Sequence, residues 1–160
     1  MPQVTTFLTF NNQAEDAARF YTSVFRDSAI TRITRYPDLG PDAPFTAGGV
    51  MTVDFTIGGR AFTALNAGPQ FAFGQGISIA VICETQEELD SYWDRLVAAG
   101  GKPIACGWIT DHFGVTWQID PRILIDAIAS PDSAKAGKAM RAMMSMVKIE
   151  SEPIRRAIAE

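Results

Sequence analysis

The sequence repeats one pattern after an interval of 72 residues, and this internal duplication excludes most folds that a chain of this length could adopt. Residues 4–10 alternate in polarity, which predicts a strand, and an amphipathic helix follows. Residues 77–83 and the helix after them repeat this arrangement. The apolar stripes of the two helices correspond position for position: Ala17, Phe20, Tyr21, Val24 and Phe25, then Leu89, Tyr92, Trp93, Leu96 and Val97. The chain is therefore predicted to contain two copies of one module.

The two helix starts carry matching signals. Asn12 and Thr85 are the predicted N-caps, and Glu15 and Glu87 place negative charge in the first turns, where the helix dipole favours it. Three further β segments are predicted after each helix: 28–36, 50–57 and 60–66 in the first copy, then 102–106, 107–110 and 115–120 in the second. Each copy is therefore predicted to be a βαβββ module.

The chain is predicted to form one structural domain with four segments: a first module over 1–67, a linker over 68–76, a second module over 77–121 and a helical tail over 122–160. Three tail helices are predicted, over 122–129, 133–147 and 152–159. The second of them has an apolar face formed by Met140, Met143, Met144 and Val147. We expect this face to serve packing, either against the same subunit or against a partner.

Charge and composition exclude several classes of function. Fourteen basic against eighteen acidic residues give a net charge of −4, which argues against a nucleic-acid-binding protein. No apolar run approaches the roughly 20 residues that a membrane helix needs, and the N-terminus has no basic segment of the signal-peptide kind. We therefore expect a cytoplasmic protein. Cys83 and Cys106 cannot form a metal knuckle and are expected to be thiols.

The chain has a single histidine, His112. A site that needs two imidazoles cannot be built by one chain. His112 lies in the sequence Asp-His-Phe-Gly, which is typical of a tight turn between strands, and no nucleophile-elbow pattern accompanies it. We therefore expect a solvated turn residue rather than a catalytic base.

Several stretches carry a resemblance to a known family: residues 7–12, 14–21, 64–69, 90–93, 106–108 and 111–118. In this order and spacing they resemble the vicinal oxygen chelate superfamily, which includes glyoxalase I, bleomycin-resistance proteins and extradiol dioxygenases. The resemblance is closer to the PhnB-like branch, which carries the label 3-demethylubiquinone-9 3-methyltransferase. It implies an α+β fold in which two βαβββ modules form a curved, cupped mixed sheet, followed here by C-terminal helices.

The resemblance also implies where a metal would bind. Metal-using members take one His or Glu ligand from the first strand and one from the last strand of each module. The corresponding positions here are Thr6, Thr63, Ser78 and Gln118, with Leu65 as the alternative to Thr63 if the register differs by two. Hydroxyl and amide groups are poor ligands for a catalytic divalent ion. We therefore expect no metal and no other cofactor.

A cup without a metal could still bind a small molecule, because it would combine convergent polar groups with an apolar lining. The candidate lining residues are Thr6, Thr63, Ser78, Gln118, Phe7, Phe62, Phe71, Phe73, Trp108 and Trp117. The alternative is that the hydroxyl groups bind one another and that the two tryptophans fill the core. Cys106 lies beside Gly107 and Trp108 in a strand connection, from which its thiol could face the cup.

The sequence thus predicts a metal-free small-molecule-binding protein, or an enzyme of unknown substrate, that forms a homodimer and binds neither nucleic acid nor membrane. Three alternatives remain: a methyltransferase as in the family label, a drug-sequestering protein like the bleomycin-resistance proteins, and a metal-dependent lyase or dioxygenase. The glycine pairs do not follow a parallel strand as a methyl-donor loop would, and the four substituted positions oppose metal chemistry.

Overall fold

The computed structural model describes residues 1–159 as two compact units, one over Met1–Ala72 and one that begins at Phe73. The first unit consists of β1 (Thr6–Phe10), α1 (Ala14–Val24), β2 (Ser28–Arg35), β3 (Val50–Ile57) and β4 (Arg60–Asn66). Its strands form a four-stranded sheet in the order β1-β4-β3-β2. The β1–β4 pair is parallel and the other pairs are antiparallel.

The second unit repeats this topology. It contains β5 (Ile79–Cys83), α2 (Gln86–Ala98), β6 (Lys102–Pro103), β7 (Trp108–Thr110) and β8 (Thr116–Pro121). The sheet order is β5-β8-β7-β6, again with one parallel pair, β5–β8. Three helices follow: α3 (Arg122–Ile128), α4 (Ser133–Met144) and α5 (Ser151–Ala159). The predicted α+β fold of two βαβββ modules with C-terminal helices is confirmed. No helix within residues 1–159 has the length and apolar character needed to cross a membrane.

Each module helix covers one face of its sheet with the apolar stripe seen in the sequence. In the first unit Tyr21 is fully buried against Phe55, and Phe55 stacks on Phe62. In the second unit Leu89 and Leu96 of α2 are also fully buried. Burial of side chains of this size contributes about 1.5–3 kcal/mol each.

The helix caps differ from one module to the other. Thr85 caps α2 as predicted, since its side chain accepts a hydrogen bond from the Glu88 amide at 3.2 Å. The prediction for Asn12 is wrong. The α1 amide of Ala14 instead donates to the side chain of Asn66, at the end of β4, over 2.9 Å. Asn66 is distant in sequence, so no local capping pattern could identify it.

The strand predicted over 102–106 is shorter in the structure, where β6 contains only Lys102–Pro103. The chain then turns through Cys106 and Gly107, whose φ angles of 54° and 81° are left-handed. The backbone amides of these two residues donate to the carbonyls of segment 146–147 at 2.9 and 2.8 Å. Strand pairing is therefore replaced here by contact with the C-terminal tail.

A polar cluster on α2 fixes the same tail. The side chain of Gln86 donates to the carbonyl of Ile149 and accepts from the amide of Ser151. Asp90 binds Lys148 across 2.7 Å, and this contact raises the pKa of Lys148. The C-terminal tail is thus anchored to the second module by hydrogen bonds as well as by apolar packing.

Asp111 organises the turn that contains the single histidine. Its carboxylate is 4% exposed and accepts hydrogen bonds from the amides of Phe113 and Val115 and from Trp117 Nε1, at 2.8, 3.0 and 2.8 Å. His112 is exposed and lies against the ring of Phe113. The turn is therefore held by its aspartate, and its histidine faces solvent.

We expect Asp111→Ala to lower the free energy of unfolding by about 2–4 kcal/mol, because three donors, one of them on a fully buried tryptophan, lose their acceptor. Urea denaturation followed by tryptophan fluorescence measures this loss. Asp42→Asn, an exposed loop aspartate, should change stability by less than about 0.5 kcal/mol. Equal stability of the Asp111 variant and the wild type would contradict the assigned role.

Candidate functional site

The two faces of the first-unit sheet have different character. Successive side chains of a strand point to opposite faces, and residues paired across strands share a face. Leu8 pairs with Ala64, and Val53 pairs with Ala64 from the other side. All three are buried, on the face that α1 covers. The other face carries mainly polar residues and is described below as the open face.

Thr6 pairs with the buried Phe62 and therefore lies on the α1 face, away from Thr63. The reason is a difference of one residue between the modules. β1 ends at Phe10 and β5 at Cys83, a separation of 73, although the helices begin 72 residues apart. A shift of one residue moves a strand side chain to the opposite face. The open-face residue next to Thr6 in the chain is Thr5, which lines a cleft with Phe7 and Thr63.

Two of the predicted aromatic lining residues are largely core residues, although Phe62 also borders the cleft that Phe7 and Thr63 line. Phe62 is 3% exposed and stacks on Phe55 at 5.3 Å on the α1 face. Trp117 is fully buried, and its indole nitrogen donates to Asp111. Phe7, by contrast, is 56% exposed on the open face. Alternation along the strands separates these residues, since Phe7 and Phe62 occupy opposite faces.

The open face of the first unit forms a cleft of about 660 Å³. Among its lining residues, Asp54 accepts hydrogen bonds from Thr63 Oγ1 at 2.8 Å and from Arg32 Nε at 2.8 Å. The Arg32 guanidinium also forms an ion pair with Asp54 at 2.6 Å. Thr34 and Thr52, which pair across β2 and β3 two residues away from Arg32 and Asp54, hydrogen bond to each other. The cleft thus combines one anion, one cation and several hydroxyl groups.

This arrangement follows from the strand sequences. β3 alternates buried Val53 and Phe55 with Thr52 and Asp54, and β4 brings Thr63 opposite Asp54. The sequence analysis identified Thr63 but missed Asp54 and Arg32. The sequence signal that could have identified Asp54 is that it is the single carboxylate on the polar side of the alternating strand β3.

The open face of the second unit contains the other two predicted polar residues. Gln118 Nε2 donates to Ser78 Oγ at 2.6 Å, so these side chains do meet. Trp108 pairs with Gln118 in the sheet and is half-buried on the same face. Thr116 lies two residues before Gln118, and its buried hydroxyl has no hydrogen-bond partner among the described residues. Three of the predicted residues therefore share one face of this unit.

The remaining predicted residues lie at the margins of the modules. Phe71 is 52% exposed in the first unit, and Phe73 packs close to Gly114 in the second. Cys106 is half-buried in the left-handed turn that binds the C-terminal tail. The structure ties the backbone of Cys106 to that tail, and the role of its thiol stays a prediction.

Asp120 is a buried carboxyl group that the sequence analysis also missed. It is 5% exposed and lies two residues beyond Gln118, on the same face of β8. Burial raises its pKa to about 6. Its Oδ1 lies 2.8 Å from the position that a side chain at Gly107 would occupy, so only glycine fits there.

The fold family implies a divalent metal, and the donors at the open faces do not suit one. Thr5, Thr63, Ser78 and Gln118 offer uncharged oxygens, and the nearby carboxylate of Asp54 is already bound by a guanidinium. Within residues 1–159 no cluster of three His, Cys, Asp or Glu side chains is placed to hold an ion. We therefore derive no step through a metal.

A family profile described as 3-demethylubiquinone-9 3-methyltransferase matches residues 2–120. A solved structure from Bacillus cereus, described as a putative 3-demethylubiquinone-9 3-methyltransferase and PhnB protein, is 35% identical to this chain. The similarity covers 75% of this chain and 99% of that one, with a TM-score of 0.66. The chain belongs to this PhnB-like family. The resemblance inferred from the sequence motifs is confirmed.

Two solved structures with lower sequence identity share the fold of this chain. A Pseudomonas aeruginosa protein is 21% identical over 76% of this chain and 98% of its own, with a TM-score of 0.61. A fosfomycin resistance protein from Mesorhizobium loti is 16% identical over 81% and 98%, with a TM-score of 0.56. No curated protein matches the sequence. The family match ends at residue 120, so α3, α4 and α5 of this PhnB-like protein lie outside it.

Replacement of Asp120 by Asn should stabilise the protein at pH 7.5 by about 1 to 3 kcal/mol. Because the folded-state pKa is raised to about 6, ionisation penalises the native state as pH rises from about 4 to about 7. The stability difference between Asp120→Asn and wild type should therefore grow over that interval and vanish near pH 4. Urea denaturation across pH measures it. A difference independent of pH, or a loss of stability at pH 7.5, would refute the assignment.

Proposed function

We propose that this PhnB-like protein binds a small polar molecule on the open face of its first unit, without a divalent metal. Family membership provides the scaffold but not a substrate, because sites rather than folds determine function. The observation that carries the proposal is the Asp54–Arg32–Thr63 network within the cleft of about 660 Å³. A volume of this size suits a metabolite-sized ligand.

The network indicates the chemistry of the ligand. Arg32 presents hydrogen-bond donors, Asp54 presents acceptors, and Thr63 can do both. Phe7 adds an exposed aromatic side chain beside Thr63, to which it is adjacent in the sheet. A ligand with both donors and acceptors on a short carbon frame would satisfy these groups. Ligand binding that replaces the exposed ion pair loses little, since surface pairs contribute about 0–1 kcal/mol.

A thermal-shift screen of polar metabolites, followed by calorimetry of the hits, tests this proposal. Asp54→Asn and Thr63→Val should each weaken a genuine ligand roughly tenfold, the effect of losing one hydrogen bond to a desolvated group. The chain offers a matched control in adjacent residues. Thr5→Val changes the open face, and Thr6→Val changes the α1 face. A ligand whose affinity falls equally in the Thr5 and Thr6 variants, or falls in neither the Asp54 nor the Thr63 variant, would contradict the proposal.

Methyl transfer, the activity named in the family description, has no supporting feature at the site. The connections from parallel strand to helix are residues 11–13 and 84–85, and neither contains glycine. Methyl-donor sites of nucleotide-binding folds use glycine at this connection so that the backbone can approach the cofactor closely. S-adenosylmethionine is therefore included in the screen. A saturable shift of several degrees with this compound would overturn the proposal in favour of methyl transfer.

We also propose that two copies of the chain associate in the cytoplasm. Met140 and Met144 of α4 are 43 and 68% exposed, and Val147, in the turn after α4, is 50% exposed. Such exposure is unusual for apolar side chains on the surface of a stable monomer. Each sheet also has edge strands that association could cover. The occupant proposed for the methionine face is a second copy, as most oligomers of small proteins are symmetric.

Sedimentation equilibrium at micromolar concentration should give twice the chain mass of 17.4 kDa. Met144→Glu should shift the protein toward monomer, because a charge would be buried at the contact. Val97→Glu is the control, since Val97 is a similarly exposed apolar residue on α2. A monomeric wild type rejects association, and equal behaviour of the two variants rejects the methionine face as the contact.

A further inference from the structure

A second cleft, of about 510 Å³, lies at the end of the first-unit sheet. It is bounded by the connection after β1, the first turn of α1 and the loop between β2 and β3. None of its lining residues lines the open-face cleft. It is therefore a separate site from the one discussed above.

The floor of this cleft is built around Asn66, which is 8% exposed. Its side chain accepts from the Ala14 amide at 2.9 Å and donates to the Val50 carbonyl at 3.0 Å. Its backbone carbonyl accepts a hydrogen bond from the hydroxyl of Tyr36. One buried amide thus fixes the helix start, the beginning of β3 and an aromatic wall. The cleft is held in shape before any ligand enters, which reduces the cost of binding.

The wall is an aromatic pair. Tyr36 and Phe45 stack with ring centroids 4.3 Å apart and planes inclined by only 3°. The base of their loop is closed by paired backbone hydrogen bonds between Tyr36 and segment 48–49. The loop therefore presents a fixed aromatic surface rather than a flexible one. Such a surface favours a flat apolar group or an organic cation.

The charge of the cleft favours the organic cation over the uncharged apolar group. Glu15 and Asp16 line it, and among its described lining residues none is Lys or Arg. Glu15 forms an ion pair with Arg19, whose side chain is 62% exposed, and such surface pairs are weak. Asp16 forms no ion pair with the described residues. The local charge is negative, and the chain as a whole carries −4.

We propose that this cleft is a binding site for a small organic cation, an amine or guanidine attached to an apolar body. The carboxylates of Asp16 and Glu15 hold the charge, the Tyr36–Phe45 pair contacts the body, and Asn66 holds the walls in position. The inference does not depend on the open-face site, because the two clefts share no residue.

The test uses three probes of one size and different charge: phenethylamine, 2-phenylethanol and phenylacetate. Titration of ¹⁵N-labelled protein should show phenethylamine shifting the amides of residues 11–16, 36, 45–46 and 66–68. The alcohol and the acid should bind at least tenfold more weakly. Added salt should weaken the amine alone, since the attraction is between exposed charges.

Four variants make the test specific. Asp16→Asn should weaken phenethylamine at least fivefold, and Phe45→Ala should do the same, whereas Asp42→Asn, an exposed acid of the same loop outside the cleft, should have no effect. Thr63→Val should also leave the amine unaffected, which separates this site from the open face. Equal binding of the three probes, shifts confined to other residues, equal effects of the Asp16 and Asp42 variants, or no binding at about 10 mM would each overturn the proposal.

Discussion

The alternation of side chains along the strands determines which residues of this protein can meet a ligand. Each sheet has one face covered by its helix and one open face. A shift of a single residue along a strand therefore moves a side chain from the core to the open face, or the reverse. Leu8 and Phe10 enter the core because they fall on one side of β1, and Phe7 is exposed because it falls on the other. The chemistry of the open face is set by this parity and not by proximity in the sequence.

A small number of buried polar side chains hold the loops that this alternation leaves unpaired. Asp111 binds three donors in the turn before β8, and Asn66 joins the end of β4 to α1 and to the β2–β3 loop. Gln86 performs the corresponding task for the C-terminal tail. A buried polar group stabilises a structure only when it is hydrogen bonded. Asn66 and Gln86 find partners far away in the chain, whereas the partners of Asp111 lie within six residues of it.

The sequence predicts the elements well and the faces less well. The stripe of α2 and its Thr85 cap could be identified because both depend on local spacing. The face on which Thr6 lies could not be identified in this way. Three residues connect β1 to α1 and only two connect β5 to α2, so an ungapped alignment of the two modules that matches the helices places the first strand one residue out of register. Asp54 and Arg32 escaped for a different reason. Their importance arises from strand pairing, which brings residues 22 positions apart into one ion pair.

The central claim is that, within residues 1–159, the open faces of this family member carry hydroxyl and amide groups, the ion-paired carboxylate of Asp54 and the single buried carboxyl of Asp120, and not the cluster of ionic donors of a metal site. Calorimetric titration of the chelator-treated protein with Mn²⁺, Ni²⁺ and Zn²⁺ tests it most directly. The account predicts no saturable binding at the open faces and no change in melting temperature with any of the three ions. Stoichiometric binding with micromolar or tighter affinity, abolished by Thr63→Val or by a Gln118 substitution, would contradict it.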